Sequence, residues 1–182
     1  MRLPLTIARS KEEGAEAILA FLSEVPIFRD LAPEQLATLR DMAEAHRFPA
    51  GAAILREGET GDCLFVLTEG EVDITLRLTL ETSRGEIGTK DKTLIRLTAE
   101  KHPFFGEMAL LGTDVRAATV TAVTDCTALC LNKQDLLILE REHPAIAYTI
   151  VRHIAETLCQ RVREQNRTIL KLTTALSIAL SR

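Results

Sequence analysis

The chain has 182 residues, 46% of them hydrophobic, so it can bury one sizeable core and is too short for two typical domains. Its 26 acidic and 22 basic residues give a formal net charge of -4, which argues against a partner bound through the phosphate backbone of nucleic acid. No apolar run approaches the roughly 20 residues that cross a bilayer, and the first residues lack the apolar core of a signal peptide. We therefore expect a cytoplasmic protein with no membrane insertion and no direct nucleic-acid contact.

The sequence also lacks a recognisable catalytic or metal centre. It contains neither a G-x-S-x-G nor an H-E-x-x-H motif, and its four histidines are dispersed. The four cysteines show no C-x-x-C spacing, which favours buried, reduced thiols over a disulfide framework or a zinc site. They are Cys63, Cys126, Cys130 and Cys159. A binding module without a metal is favoured over an enzyme.

Two amphipathic helices are predicted in the first 50 residues. The first spans 11–25, where apolar residues recur on one helical face until Pro26 ends the helix. The second begins near Pro33, because proline is well accepted in a first helical turn. Its apolar spacing continues past Met42, and we expect it to end by Phe48.

From Gly51 to Leu131 the pattern changes to short apolar runs separated by turn residues, which is typical of β-structure. The segment 81–91 is rich in charged and small residues and predicts a long hairpin loop or an extended ribbon tip. The predicted strands are 53–57, 63–68, 71–79, 92–98, 117–122 and 127–132.

Helical periodicity returns after Asn132, first over 133–142 and then as one long segment over 145–180. In the long segment, residues at alternating steps of four and three form what we call the heptad seam. A packed amphipathic helix and a short two-chain coiled coil both fit this pattern, and the second would make the chain a homodimer. The seam consists of Leu158, Val162, Gln165, Ile169, Leu172, Leu176 and Ala179.

Residues 105–120, called the cassette below, contain the parts of a phosphate cradle. Gly106 allows close backbone approach, the first N–H groups of a short helix lack helical partners, and Arg116 can grip phosphate oxygens with two parallel bonds. Glu107 would repel a phosphate, so in such a site its carboxylate would face a hydroxyl donor. Taken singly, these residues also fit a plain turn, a first helical turn and a surface cation.

The cassette closely resembles the phosphate-binding cassette of cyclic-nucleotide-binding domains. It reads FGEMAL at 105–110, then a variable loop, then RAATV at 116–120. The motifs FRDL at 28–31, FPAG at 48–51, GETGD at 58–62, LFVL at 64–67 and GEV at 70–72 follow the order found in that family. The resemblance covers about residues 21–158. It implies an α+β fold, an antiparallel, jelly-roll-like β-roll flanked by N-terminal helices and a long C-terminal helix.

The resemblance also implies the roles of individual residues. Glu107 would take the ribose 2′-hydroxyl, and Arg116 would take the exocyclic phosphate oxygens. The rest of the cradle would be Phe105, Gly106, Met108, Ala109, Ala117 and Ala118. Residues implied to cover the base are Val66, Arg161, Val162 and Gln165.

Ala117 favours cAMP over cGMP as the ligand. Members of the family that prefer cGMP often carry Ser or Thr next to the phosphate-binding Arg, and a methyl group cannot make that bond to guanine. Two departures from the family pattern are also present. His102-Pro103 stands where the family often has a Gly, and the segment 81–91 is longer than in many relatives.

The predicted organisation is an N-terminal extension over 1–20, a cyclic-nucleotide-binding domain over 21–158 and a C-terminal helix over 159–182 that serves as a lid or in dimerisation. The expected function is a cAMP sensor that passes occupancy to this helix and is read by an unknown downstream protein. The chain leaves no room for a helix-turn-helix domain, so direct DNA recognition is not expected. The alternatives are a non-binding structural module of the same fold and a regulatory fragment of a channel, kinase or transcription regulator.

Overall fold

The computed structural model describes residues 11–81, 87–112 and 115–181. Within these ranges the chain forms five α-helices and eight β-strands, together with one 3₁₀ turn at Ala99–Lys101. In chain order the elements are α1 (Lys11–Glu24), α2 (Pro33–Met42), β1 (Glu44–Phe48), β2 (Ala53–Leu55), β3 (Cys63–Glu69), β4 (Glu71–Glu81), β5 (Ile87–Thr98), β6 (Phe104–Phe105), α3 (Glu107–Leu111), β7 (Thr119–Ala122), β8 (Cys126–Asn132), α4 (Lys133–Glu142) and α5 (Pro144–Leu180).

The strands form two four-stranded antiparallel sheets. One has the order β1-β8-β3-β6 and the other β2-β7-β4-β5. The helices lie at the two ends of the chain, apart from the short α3. This arrangement confirms the predicted antiparallel β-roll flanked by N-terminal helices and a long C-terminal helix.

Alternating strand side chains divide the interior into two cores. Leu64 and Val66 of β3 face the helices and pack with residues of α1, α2, α4 and the first half of α5. Phe65 and Leu67 face the opposite way and pack between the two sheets. Because successive side chains of a strand point to opposite faces, β3 contributes to both cores.

Capping fixes the beginning of α4. The Asn132 side chain accepts a hydrogen bond from the backbone N–H of Asp135 at 2.9 Å, and the Asp135 carboxylate accepts one from the N–H of Asn132 at 2.9 Å. Such reciprocal bonds satisfy donors that a helix start leaves without partners. The predicted helix over 133–142 is confirmed.

The second helix is shorter than predicted. It ends at Met42, and the residues expected to continue it form β1, which pairs with β8 from Glu44↔Cys130 to Phe48↔Cys126. The partner strand lies some 80 residues away in the sequence, so the pairing energy that selects β-structure here is not visible in the local pattern.

The segment 81–91 is less of a loop than predicted. Strand β5 begins at Ile87, and its pairing with β4 extends to Glu81↔Ile87, so most of the segment belongs to an extended hairpin. Residues 82–86, where the expected tip falls, lie outside the described residues. Of the two predicted forms, the extended ribbon agrees with the pairing of β4 and β5 in the described residues.

Helix α5 has 37 residues and is about 55 Å long. Its buried side chains, such as Ile150 and Ile154, all lie in the first third, and Leu158 still packs against the core. Nearly all residues from Cys159 onward are exposed. No helix in the described part of the chain has the length and apolarity of a membrane span.

Candidate functional site

The cassette begins with a sharp turn at Gly106, between β6 and α3. Gly106 has φ +86°, a left-handed conformation that residues with a side chain rarely adopt. A Cβ at this position would also lie 2.7 Å from the carbonyl oxygen of Cys63. Glycine is therefore required here both by the backbone angle and by the close approach of β3.

Arg116 lies inside the fold beneath this turn, with 7% of its surface exposed. Its Nη1 donates to the carbonyl oxygen of Cys63 at 2.7 Å and to that of Gly106 at 3.2 Å. The guanidinium thus joins the start of β3 to the start of the cassette helix.

The backbone of Arg116 is held by the loop between β2 and β3. Its N–H donates to the carbonyl of Glu59 at 2.9 Å, and its carbonyl accepts from the N–H of Gly58 at 2.9 Å. A β-bridge between Thr60 and Val115 continues this contact. The loop therefore fixes the point from which the Arg116 side chain enters the fold.

The charge of Arg116 is not neutralised by a described carboxylate. Among the described residues, its hydrogen-bond acceptors are backbone carbonyls, and no ion pair is formed. Buried charges in proteins are normally paired. A buried cation between neutral acceptors provides an environment that favours an anion.

Glu107, the first residue of α3, is buried and has a cationic partner. Its Oε1 accepts a hydrogen bond from Nη1 of Arg161 at 2.7 Å, and the Glu107 side chain is 5% exposed while that of Arg161 is 42% exposed. The two residues are 54 positions apart, one in the cassette and one on α5. This ion pair directly connects the cassette to the long helix.

Arg161 makes a second contact with the strand that precedes the cassette. Its Cζ lies 5.2 Å from the ring centroid of Phe104, within the range of a cation–π interaction. Val66 packs in the same helical core as Phe104 and is 2% exposed. Arg161, which the family resemblance implies as a base-covering residue, therefore stacks on Phe104 of this protein.

The thiol of Cys63 has an altered environment. A hydrogen bond from the Cys130 thiol lowers the pKa of the Cys63 thiol, against the opposing effects of burial and of Asp62, while the same contact and burial raise the pKa of Cys130. Cys63 is half-buried and Cys130 is buried, as expected for reduced thiols. Cys159 is exposed, so the prediction of four buried cysteines is wrong at that position.

The structure brings most of the predicted cradle together. Phe105 and Ala109 are each 2% exposed, whereas Met108 is 53% exposed. The predicted strand 117–122 begins only at Thr119, which leaves Ala117 and Ala118 in the turn after Arg116. Ala117 is exposed and Ala118 is half-buried.

The residues predicted to cover a base are not assembled into one surface. The Val66 side chain is enclosed in the helical core, so it is not presented at the cassette surface. Val162 and Gln165 are exposed on α5, and Arg161 bonds Glu107 of the cassette.

His102, just before the cassette, has a backbone conformation and a packing contact of its own. His102 ends the 3₁₀ turn in a left-handed conformation with φ +48°, and its ring packs on Phe21 with centroids 4.8 Å apart. Left-handed backbone is uncommon outside glycine, although His is among the residues that tolerate it. The packing on α1 compensates for a residue where the family often has glycine.

Sequence reasoning missed the surroundings of Arg116. It did not identify the Cys63 carbonyl that anchors the guanidinium, nor Phe104 beneath Arg161. It also gave no role to Gly61, which lies in the loop that holds Arg116. The GETGD motif at 58–62, which is part of the family resemblance, is the available signal in the sequence.

Comparisons with known proteins agree on one family. The model of the cyclic nucleotide-binding domain matches residues 45–143, more than half of the chain. The cGMP-dependent protein kinase, isozyme 2 forms cD5/T2, of Drosophila melanogaster is 34% identical over 111 residues, which are 61% of this chain and 11% of the kinase. The cyclic AMP receptor protein of Thermus thermophilus is 31% identical over 139 residues, which are 76% of this chain and 58% of that protein.

Solved structures give the same result. The crystal structure of the Thermus thermophilus Catabolite Activator Protein superimposes with a TM-score of 0.68 and 30% identity, over 81% of this chain and 63% of that chain. The chain spans only about a tenth of the length of the kinases it matches. In the described ranges, no group of His, Cys, Asp and Glu is arranged to hold a metal ion.

Proposed function

Because the chain belongs to the cyclic nucleotide-binding domain family, we propose that it binds a cyclic nucleotide in the cassette and transmits occupancy to α5. The protein acts by binding and regulation, without a catalytic step and without a metal. The single observation that carries this proposal is the Glu107–Arg161 ion pair, which connects the cassette to the helix.

The phosphate is assigned to Arg116. Its guanidinium is buried, with only backbone carbonyls among its described acceptors, so an anion would gain a charge-assisted contact without displacing a described carboxylate. The neighbouring Phe105, Gly106, Met108, Ala109, Ala117 and Ala118 form the surrounding cradle.

The ribose is assigned to Glu107. The carboxylate has two oxygens, and Arg161 bonds only one of them. A carboxylate can accept several hydrogen bonds, so a ribose 2′-hydroxyl can bond Oε2 while Arg161 remains on Oε1. Nucleotide and helix then orient the same buried carboxylate and stabilise each other. By thermodynamic linkage, the nucleotide favours the docked arrangement of α5.

Of the two common cyclic nucleotides, cAMP is the proposed ligand. Ala117 follows the phosphate-binding Arg116 and offers a methyl group with no donor for guanine. Proteins similar to this chain include a cGMP-dependent protein kinase and a cAMP-dependent protein kinase regulatory subunit, so the preference for cAMP rests on Ala117.

The exposed half of α5 is the proposed output surface. Its heptad seam suits a second copy of the chain, and an unidentified downstream protein would respond to the docked helix. Cytoplasmic location is part of the same proposal, since both cyclic nucleotides are intracellular messengers.

Isothermal titration calorimetry of the purified chain with cAMP, cGMP and 5′-AMP tests the proposal. We expect binding of both cyclic nucleotides, tighter for cAMP, and much weaker binding of 5′-AMP. Failure of cAMP and cGMP alike to bind would refute the proposal and favour the non-binding structural module of the same fold.

A further inference from the structure

The backbone conformation of Gly61 does not explain why this position is a glycine. Four other described glycines, at 51, 58, 70 and 106, adopt positive φ angles that favour glycine, but Gly61 does not. The loop backbone would therefore accept an alanine at position 61. A constraint on the side chain at position 61 must therefore come from what lies next to it.

The neighbour of Gly61 is the guanidinium of Arg116. A Cβ built on Gly61 would lie 2.7 Å from Nε, 2.7 Å from Nη2 and 3.0 Å from Cζ, and these are its three nearest atoms. Real Cβ atoms do not approach other atoms this closely. Because its distances to Nε and Nη2 are equal, a Cβ at position 61 would lie at the edge of the guanidinium that carries these two nitrogens.

The opposite side of the guanidinium is also bounded by a glycine. A Cβ on Gly106 would lie 3.0 Å from Nη1 of Arg116, and the same Nη1 bonds the carbonyls of Cys63 and Gly106. The guanidinium thus occupies a slot between two residues that lack side chains. Gly106 has separate reasons to be glycine, whereas for Gly61 the slot is the only reason the described structure offers.

We propose that Gly61 is a positioning residue for nucleotide binding, because its missing side chain leaves the space in which the Arg116 guanidinium is held. This inference rests on the proposed function, in which Arg116 binds the phosphate. An alanine at 61 pushes against the end of a flexible side chain, so the guanidinium moves while the backbone remains in place. The displaced group loses its bonds to the two carbonyls and its preset orientation toward a phosphate.

The test compares Gly61→Ala with Thr60→Ala, a change in the same loop that leaves the backbone bridge to Val115 intact. We expect Gly61→Ala to weaken cAMP binding at least tenfold in calorimetry, with a melting temperature no lower than that of Arg116→Ala, which loses the same two carbonyl bonds. Thr60→Ala should bind cAMP like the parent. Unchanged or tighter binding by Gly61→Ala, or an equal loss in Thr60→Ala, overturns the proposal.

A double-mutant cycle tests whether Gly61 acts through Arg116. In an Arg116→Ala background, where competition with a fluorescent cAMP analogue extends the measurable range, Gly61→Ala should produce no further loss. An equal additional loss in that background shows an effect independent of the guanidinium and overturns the proposal.

Nuclear magnetic resonance separates this inference from the proposed function. In the nucleotide-free protein, Gly61→Ala should shift the ¹⁵Nε–¹H resonance of Arg116, which Arg116→Lys identifies by its disappearance, and Thr60→Ala should leave it unchanged. A shifted resonance in a protein that binds no cyclic nucleotide supports the slot and refutes the proposed function. An unshifted resonance refutes the slot whether or not cAMP binds.

Discussion

At the scale of single residues, Arg116 has two distinct roles. It crosslinks β3 and the cassette through the carbonyls of Cys63 and Gly106, and it brings an unneutralised charge into the site. Removing Arg116 should therefore lower the stability of the fold as well as the proposed phosphate binding, because two carbonyls lose a charged donor. A mutation at this position must be interpreted with stability and binding measured together.

Replacing Arg116 with alanine should weaken cAMP binding by about one to two orders of magnitude. A hydrogen bond to a charged group contributes roughly 1.5 to 3 kcal/mol, which corresponds to this change in affinity. Arg116→Lys should retain part of the affinity, since it keeps the charge but loses the planar fork. Calorimetry and thermal melting measure the two effects.

The matched control for this prediction is Arg56→Ala in the preceding segment. The Arg56 side chain is 63% exposed and pairs only with Glu59 at 3.8 Å, so its loss should change neither affinity nor melting temperature appreciably. Parental affinity in Arg116→Ala would show that the phosphate is bound elsewhere.

At the scale of elements, the sequence pattern predicted the features that depend on interactions between residues close together in the chain. The bounds of α4 follow from the Asn132 cap and its apolar face, and the fold class follows from the alternating strands and the cassette motif. Strands β1 and β6 escaped prediction because neither has a local strand pattern. The apolar spacing of α2 runs into β1, β6 has only two residues, and each is stabilised by pairing with a distant strand, β8 for the first and β3 for the second.

In the candidate site, too, the sequence identified individual residues but not the contacts that depend on tertiary packing. The sequence motif identified Glu107 and Arg116 and named Arg161 as a residue of the last helix near the site. It could not pair Glu107 with Arg161, because this contact depends on how α5 packs across the roll. Gly61 was also out of reach, because its neighbour is a side chain 55 positions later.

The Glu107–Arg161 contact makes a prediction about α5. In hydrogen–deuterium exchange, cAMP should increase protection of the amides around residues 155–165, and Arg161→Ala should abolish this increase and weaken cAMP binding. Both effects follow from the proposed sharing of the Glu107 carboxylate by the nucleotide and the helix, in which each stabilises the bound arrangement of the other.

Arg163→Ala is the matched control, since Arg163 is an exposed arginine two positions along the same helix. It should retain the protection. A second control uses 2′-deoxy-cAMP, which brings no 2′-hydroxyl to Glu107 and should protect α5 less than cAMP at equal occupancy. Protection that persists in Arg161→Ala would mean that α5 senses the nucleotide by another route.

At the scale of the whole molecule, α5 extends far beyond the core that anchors it. Val162, Ile169, Leu172 and Leu176 of the heptad seam are 52% to 66% exposed. The β-branched Val162 and Ile169 are separated by Gln165 and are flanked in the seam by Leu158 and Leu172. β-branched residues at one set of seam positions with leucine at the other favour two parallel strands. The basic residues Arg163, Arg167 and Lys171 recur every four positions on the opposite face, where they would not repel one another across a dimer.

We therefore expect the chain to form a parallel dimer through the heptad seam at micromolar concentration in sedimentation equilibrium. Leu172→Glu should shift the protein toward monomer, because it places a charge in an apolar contact. The control Lys171→Glu introduces a glutamate one position earlier, on the basic face of the helix. This variant should remain dimeric. Because position 172 lies three helical turns beyond Arg161, the monomeric variant should still bind cAMP, which separates assembly from ligand recognition. A monomeric parent, or two variants that dimerise equally well, would show that the seam is an exposed face without this partner.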